Sequence, residues 1–122
     1  MHKRILIADD HLAIRSGIRD ILSAEYASLH FGEAVDSDDV FHKLDAESWD
    51  MVILDIDLPG KGGLDVLRRM TAENISIPVV VMSFHREQRI MELAMQCGAL
   101  RYVTKDDADT RLVPAVNEIF AG

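Results

Sequence analysis

The stretch Met51-Val52-Ile53-Leu54-Asp55 is four apolar residues closed by an acid, with Ile56-Asp57-Leu58-Pro59-Gly60 behind it. Four successive apolar residues are too few for a helix and do not alternate, so the run predicts a short strand buried on both faces. Two further runs of the same kind are Ile5-Leu6-Ile7 and Val79-Val80-Val81-Met82. Leu29 to Ala34, with partial alternation, and Arg101 to Thr104, with Tyr102 and Val103, bring the predicted strands to five.

Helical spacing fills the intervals. Ile14, Gly17, Ile18, Ile21 and Leu22 share one face, as do Leu64, Leu67 and Met70. Ile90, Ala94 and Cys97 form a stripe that Gly98 ends, and Leu112, Val116, Ile119 and Phe120 form the last. A further helix is predicted from about Asp38 to Leu44, with Ser37 as its N-cap. Pro114 conflicts with a helix interior, so the last helix is expected to start late, capped by Asp109 or Thr110, with Pro114 in or just after its first turn. Strands alternating with such helices specify parallel β-α units with right-handed crossovers, a doubly wound α/β domain.

Composition narrows what this domain does. The 122 residues suit one domain, expected over residues 1–122, and 48% hydrophobic with 28% charged residues can support a core. The net charge of -8, 21 acidic against 13 basic residues, argues against direct binding of nucleic acid or anionic membrane surfaces. One cysteine, Cys97, allows no internal disulfide and is expected to be a buried thiol in a reducing compartment. Behind His2-Lys3-Arg4 the apolar run stops at Asp9, too short for a signal peptide, and no stretch approaches the roughly 20 apolar residues of a membrane span. A cytoplasmic location is expected.

In doubly wound sheets ligands bind outside the carboxyl ends of the strands. Those ends carry Asp9-Asp10, Asp55, Ser83 and Lys105. Any one of them is ordinary: an acid can cap a helix, a serine can close a strand, a lysine can be a solvated charge. Their convergence on one edge is not ordinary. Gathered carboxylates repel unless a hard cation such as Mg²⁺ joins them, while an ammonium and a hydroxyl offer donors to tetrahedral oxygens. The set suits phosphoryl transfer onto a carboxylate, with Asp55 as the nucleophile because it ends the most buried central strand. His11 is read as a helix-start residue.

Ile7-Ala8-Asp9-Asp10-His11, Leu54-Asp55-Ile56-Asp57-Leu58-Pro59-Gly60, Met82-Ser83 and Tyr102-Val103-Thr104-Lys105 resemble the receiver domains of two-component response regulators, along the whole chain. Lys105-Asp106 and the ending Ile119-Phe120-Ala121-Gly122 look most like the receivers of LuxR/FixJ-type (NarL-like) transcription regulators. The resemblance implies a (βα)5 domain with a five-stranded parallel sheet in the flavodoxin-like order 2-1-3-4-5. It implies that a sensor histidine kinase phosphorylates Asp55, that Asp10 ligates Mg²⁺ directly and Asp9 largely through water, and that the main-chain carbonyl of Asp57 completes the ligands. Lys105 would pair with one phosphoryl oxygen and Ser83 with another. Tyr102 would follow Ser83 inward, or be a half-buried strand aromatic. Asp57 and His85 stand at positions that tune how fast water removes the phosphate. Phe84 stands where receivers usually carry a small residue, so its ring would narrow access to Asp55.

Phosphorylation would shift the surface of the fourth helix, fifth strand and fifth helix, with Met91 and Met95 as a partner-binding patch. Dimerisation on phosphorylation is expected, with DNA bound only through a C-terminal output domain absent from this sequence. The alternative is a small phosphohydrolase resembling the haloacid dehalogenases, with Asp55 and Asp57 as nucleophile and general acid and Ser83, Lys105 and Asp106-Asp107 following in order. Leu58 and the position of the last acidic pair depart from that pattern, which also leaves Asp9 and Asp10 without a role. A degenerate receiver should have lost an acid or Lys105, and a flavodoxin-like cofactor domain should have a hydroxyl- and glycine-rich loop where Asp9-Asp10-His11 stands.

Overall fold

In the computed structural model, which describes residues 2–122, strands and helices alternate along the chain: β1 Lys3–Ala8, α1 Leu12–Glu25, β2 Leu29–Ala34, α2 Ser37–Ala46, β3 Met51–Asp55, α3 Gly63–Ala72, β4 Val79–Ser83, α4 Gln88–Gln96, β5 Arg101–Thr104 and α5 Ala108–Ala121. Met1 of the expected domain lies outside the described residues. All strand pairs are parallel, and the sheet order is β2-β1-β3-β4-β5. Both the fold class and the order agree with the sequence expectation.

The uninterrupted apolar runs are explained by two cores. Successive strand residues point to opposite faces. Leu6, Ala8, Val52, Leu54, Val79 and Val81 pack with Val40 and Phe41 of α2, Val66, Leu67 and Met70 of α3, and Ala94 of α4. Ile5, Ile7, Met51, Ile53, Val80 and Met82 pack with Ile18 and Leu22 of α1 and Leu112, Ala115 and Val116 of α5. From Ile5 onward in β1, and throughout β3 and β4, neither face meets water, so alternation is not needed there. The edge strands β2 and β5 are only partly buried, which accounts for their weaker patterns.

Register builds the site. Ala8 pairs with Leu54, so Asp9 and Asp55 leave the sheet side by side. Asp55 pairs with Met82 and Ser83 with Thr104, which brings Ser83 and Lys105 to the same edge one step further on.

Three local expectations are corrected. Asp36, not Ser37, caps α2: its backbone is extended and its side chain accepts a hydrogen bond from the Asp39 amide at 2.8 Å. Ser37 is buried, and its Oγ instead accepts from the Lys61 amide at 3.0 Å, tying α2 to the loop after β3. The last helix starts early rather than late. A 3₁₀ turn, Lys105–Asp107, runs directly into α5, leaving Pro114 inside the helix. Pro114 and Thr110, whose carbonyl lacks its helical partner, are both exposed, so water can take the missing donor's place while Leu112, Ala115 and Val116 hold the helix to the sheet. Cys97 is the C-cap of α4 and only half-buried, because Gly98 at φ +121° turns the chain there.

Gly63 opens α3 beneath the loop that leaves β3. A Cβ there would lie 2.5 Å from the Asp55 carbonyl oxygen and 2.8 Å from the Ile56 Cα. Gly63→Ala is expected to destabilise the fold by about 1–3 kcal/mol through this backbone clash, read as a lower urea midpoint with an unchanged slope.

Candidate functional site

Asp55 ends a fully buried strand and is itself only 2% exposed. Its Oδ1 accepts the Asp57 amide at 3.0 Å, a local turn made as the chain leaves β3. Its Oδ2 is buried without a hydrogen bond, 3.3 Å from the Lys105 Nζ. The carboxyl is pushed above the usual carboxylate range, first by burial and further by the nearby Asp9 charge, against the opposing pull of the Asp57 amide and Lys105.

Asp9, also 2% exposed, receives Lys105 Nζ on Oδ2 at 2.7 Å. The Lys105 side chain is buried between the two acids, 5.2 Å from the Phe84 ring centroid. Asp10 is exposed, and its Oδ1 lies 3.2 Å from the His11 Nδ1. One ligand atom from each of Asp9, Asp10, His11 and Asp55 falls within 4.8 Å of all the others. A cluster of carboxylate oxygens including one buried orphan is what a hard divalent cation requires. The sequence therefore correctly foresees which acids meet.

Ser83 is fully buried, and its Oγ accepts the His85 amide at 3.0 Å. Asp57 turns its side chain outward, where His85 Nε2 lies 3.1 Å from Oδ2. His85 Nδ1 is 3.6 Å from Glu87. Phe84 is 56% exposed beside the lysine. Tyr102 is half-buried, packs against the core on the α2-α3-α4 face, and donates its hydroxyl to the His85 carbonyl at 2.8 Å. Burial, more than any charge nearby, raises the Tyr102 phenol above its ordinary value. Tyr102→Phe is expected to lower stability by about 0.5–1.5 kcal/mol and to speed hydrogen exchange at the Phe84 to Arg86 amides.

Two contacts were not foreseen. Arg15 donates to the Asp9 carbonyl at 2.8 Å and to Glu33 Oε1 at 2.5 Å, fixing the chain where β1 ends. Arg86 reaches Asp106 at 3.3 Å and Asp107 at 3.6 Å, joining the loops after β4 and β5. Arg15 was legible only as a charge four residues after His11; Arg86 had no signal, because its partners are distant in sequence.

The chain matches the response regulator receiver domain family over residues 5–117. The response regulator UvrY of Escherichia coli K12 is 30% identical over 118 residues, which is 97% of this chain and 54% of that protein. The response regulator GacA of Pseudomonas aeruginosa is 31% identical over 119 residues, 98% of this chain and 56% of that protein. The chain thus spans about half the length of the curated relatives it matches. The NarL signal receiver domain of Mycobacterium tuberculosis superposes with a TM-score of 0.89 at 31% identity, covering 100% of this chain and 99% of that one. No described helix is long and apolar enough to cross a membrane.

Proposed function

The chain belongs to the response regulator receiver domain family of two-component signalling, and from that premise we propose that Asp55 is its phosphoacceptor and a sensor histidine kinase its donor. The observation that carries the assignment is the buried Asp55 carboxylate, one oxygen held by the Asp57 amide and the other lacking a hydrogen bond beside Lys105. Attack by Asp55 forms a P–O bond as the P–N bond to the donor histidine breaks, and the imidazole leaves with its electron pair.

Asp9, Asp10, Asp55 and the Asp57 main-chain carbonyl would hold Mg²⁺, which supplies positive charge between the carboxylates and the incoming phosphoryl oxygens. Exposed Asp10 suits direct ligation. Asp9 already engages Lys105 and His11, which suits a role through water. Lys105 holds the buried acids and turns its ammonium to a phosphoryl oxygen; the Ser83 hydroxyl exchanges its bond from the His85 amide for another. Tyr102, attached to the His85 carbonyl, would report that movement. Phe84 and the Asp57–His85 pair line the approach and would set access for donors and for hydrolytic water.

The hydrolase alternative is not favoured. It needs the Asp57 carboxyl over the substrate, but that group is turned to His85, and Asp106 and Asp107 face Arg86. Incubation with Mg²⁺ and a small phosphodonor or a kinase separates the two. The receiver reading predicts stoichiometric, acid-stable, base-labile label on the protein; rapid multiple turnover of a phosphate ester would favour the hydrolase.

For the output we infer phosphorylation-dependent dimerisation in a cytoplasmic regulator, with DNA bound through a domain outside this sequence, in keeping with relatives about twice as long. A groove of about 530 Å³ lined by Met91, Met95, Leu100 and Tyr102 supports the α4-β5 face as the surface that changes.

A further inference from the structure

The histidine after the acidic pair lies within the acid cluster. His11 Nδ1 is 2.9 Å from Asp9 Oδ1 and 3.2 Å from Asp10 Oδ1. Its amide donates to Asp9 Oδ1 at 2.8 Å, which locks the backbone at the start of α1. The ring makes no capping bond and the side chain is 63% exposed, so neither the helix nor a core requires it. The buried Asp55 Oδ2 makes no hydrogen bond and has only the Lys105 ammonium at 3.3 Å, so this member of the cluster can still take a further ligand. Facing two acceptor-only carboxylate oxygens, Nδ1 donates its proton in the metal-free protein. A cation bound among the same atoms would take that proton's place, leaving the remaining ring proton on Nε2.

We infer that His11 supplies a nitrogen ligand to the cation of this site, giving it a preference for first-row transition ions over Mg²⁺. Imidazole adds little to the binding of Mg²⁺, which favours oxygen ligands, and progressively more from Mn²⁺ to Ni²⁺. His11 therefore decides which divalent ion loads the receiver when both are present. The inference rests on the reading of Asp9, Asp10 and Asp55 as the cation site.

The test is calorimetric titration of Mg²⁺, Mn²⁺ and Ni²⁺ into the full chain and its His11→Ala and Asp55→Asn variants, with electron-spin-echo spectra of the Mn²⁺ forms. Circular dichroism checks that the variants are folded. His11→Ala is expected to weaken Ni²⁺ by at least about tenfold and Mg²⁺ by less than about threefold. Nitrogen modulation of the Mn²⁺ echo should be present in the native protein and lost in His11→Ala. Equal loss for both ions, or no nitrogen modulation in the native protein, overturns the inference. So does Ni²⁺ binding that survives His11→Ala undiminished, since it would lie on another histidine. Mg²⁺ binding unchanged by Asp55→Asn would instead overturn the underlying assignment of the acidic site.

Discussion

In the absence of divalent cations at neutral pH, Asp55→Asn is expected to stabilise the fold by about 1–3 kcal/mol, the range for relieving a buried group left unsatisfied. The native carboxyl binds its proton more tightly than the unfolded one does, because burial disfavours its charge. Its contribution to stability is therefore fully present below the unfolded pKa and is lost as pH rises through the folded pKa. Asparagine carries no such dependence. The variant's advantage should vanish toward the ordinary carboxylate range and grow above it, as followed by thermal unfolding across pH. Mg²⁺ should reverse the order, stabilising the native protein by mass action and the variant far less. A native protein more stable than Asp55→Asn at neutral pH without metal would show that Lys105 fully compensates the buried charge.

Lys105→Met should act in the opposite direction. Its ammonium is the cation nearest to two buried carboxylates, 2.7 Å from Asp9 Oδ2 and 3.3 Å from Asp55 Oδ2. Methionine keeps the stem packed but leaves both acids without counter-charge, and breaking a buried pair in this way costs about 3–5 kcal/mol. The loss should appear at neutral pH without divalent cations and shrink in acid, where the carboxyls take up protons. Adding Asp55→Asn to Lys105→Met should recover part of it, a coupling that a double-mutant cycle reads directly. In Mg²⁺, phosphoryl transfer to the folded variant should slow by about 10²–10³-fold, as expected when a positioned charge is removed from the transferring group.

These effects depend on residues that the strand ends announced. Asp9, Asp10, Asp55, Ser83 and Lys105 were legible because each stands at the end of a strand, weakly marked only before Lys105, and parallel β-α topology fixes where such residues meet. The ranges Leu29–Ala34 and Arg101–Thr104 were read directly. What was not legible depended on competing local bonds. Asp36 and Ser37 are both capable caps, and only the extended backbone of Asp36 and the Lys61 amide waiting for Ser37 decide between them. Pro114 suggested a late helix, but burial of three residues around it outweighs one missing hydrogen bond. The ring of His11 meets the acids because the Asp9 carboxylate holds the His11 amide, a fold-back between residues two apart that spacing alone does not reveal.

Intact-mass analysis with peptide mapping after Mg²⁺ and phosphodonor treatment decides whether Asp55 carries the phosphoryl group. The native chain should gain one phosphoryl group, on the peptide containing Asp55, and Asp55→Asn should gain none. Label on any other residue, or equal label on Asp55→Asn, would contradict the account.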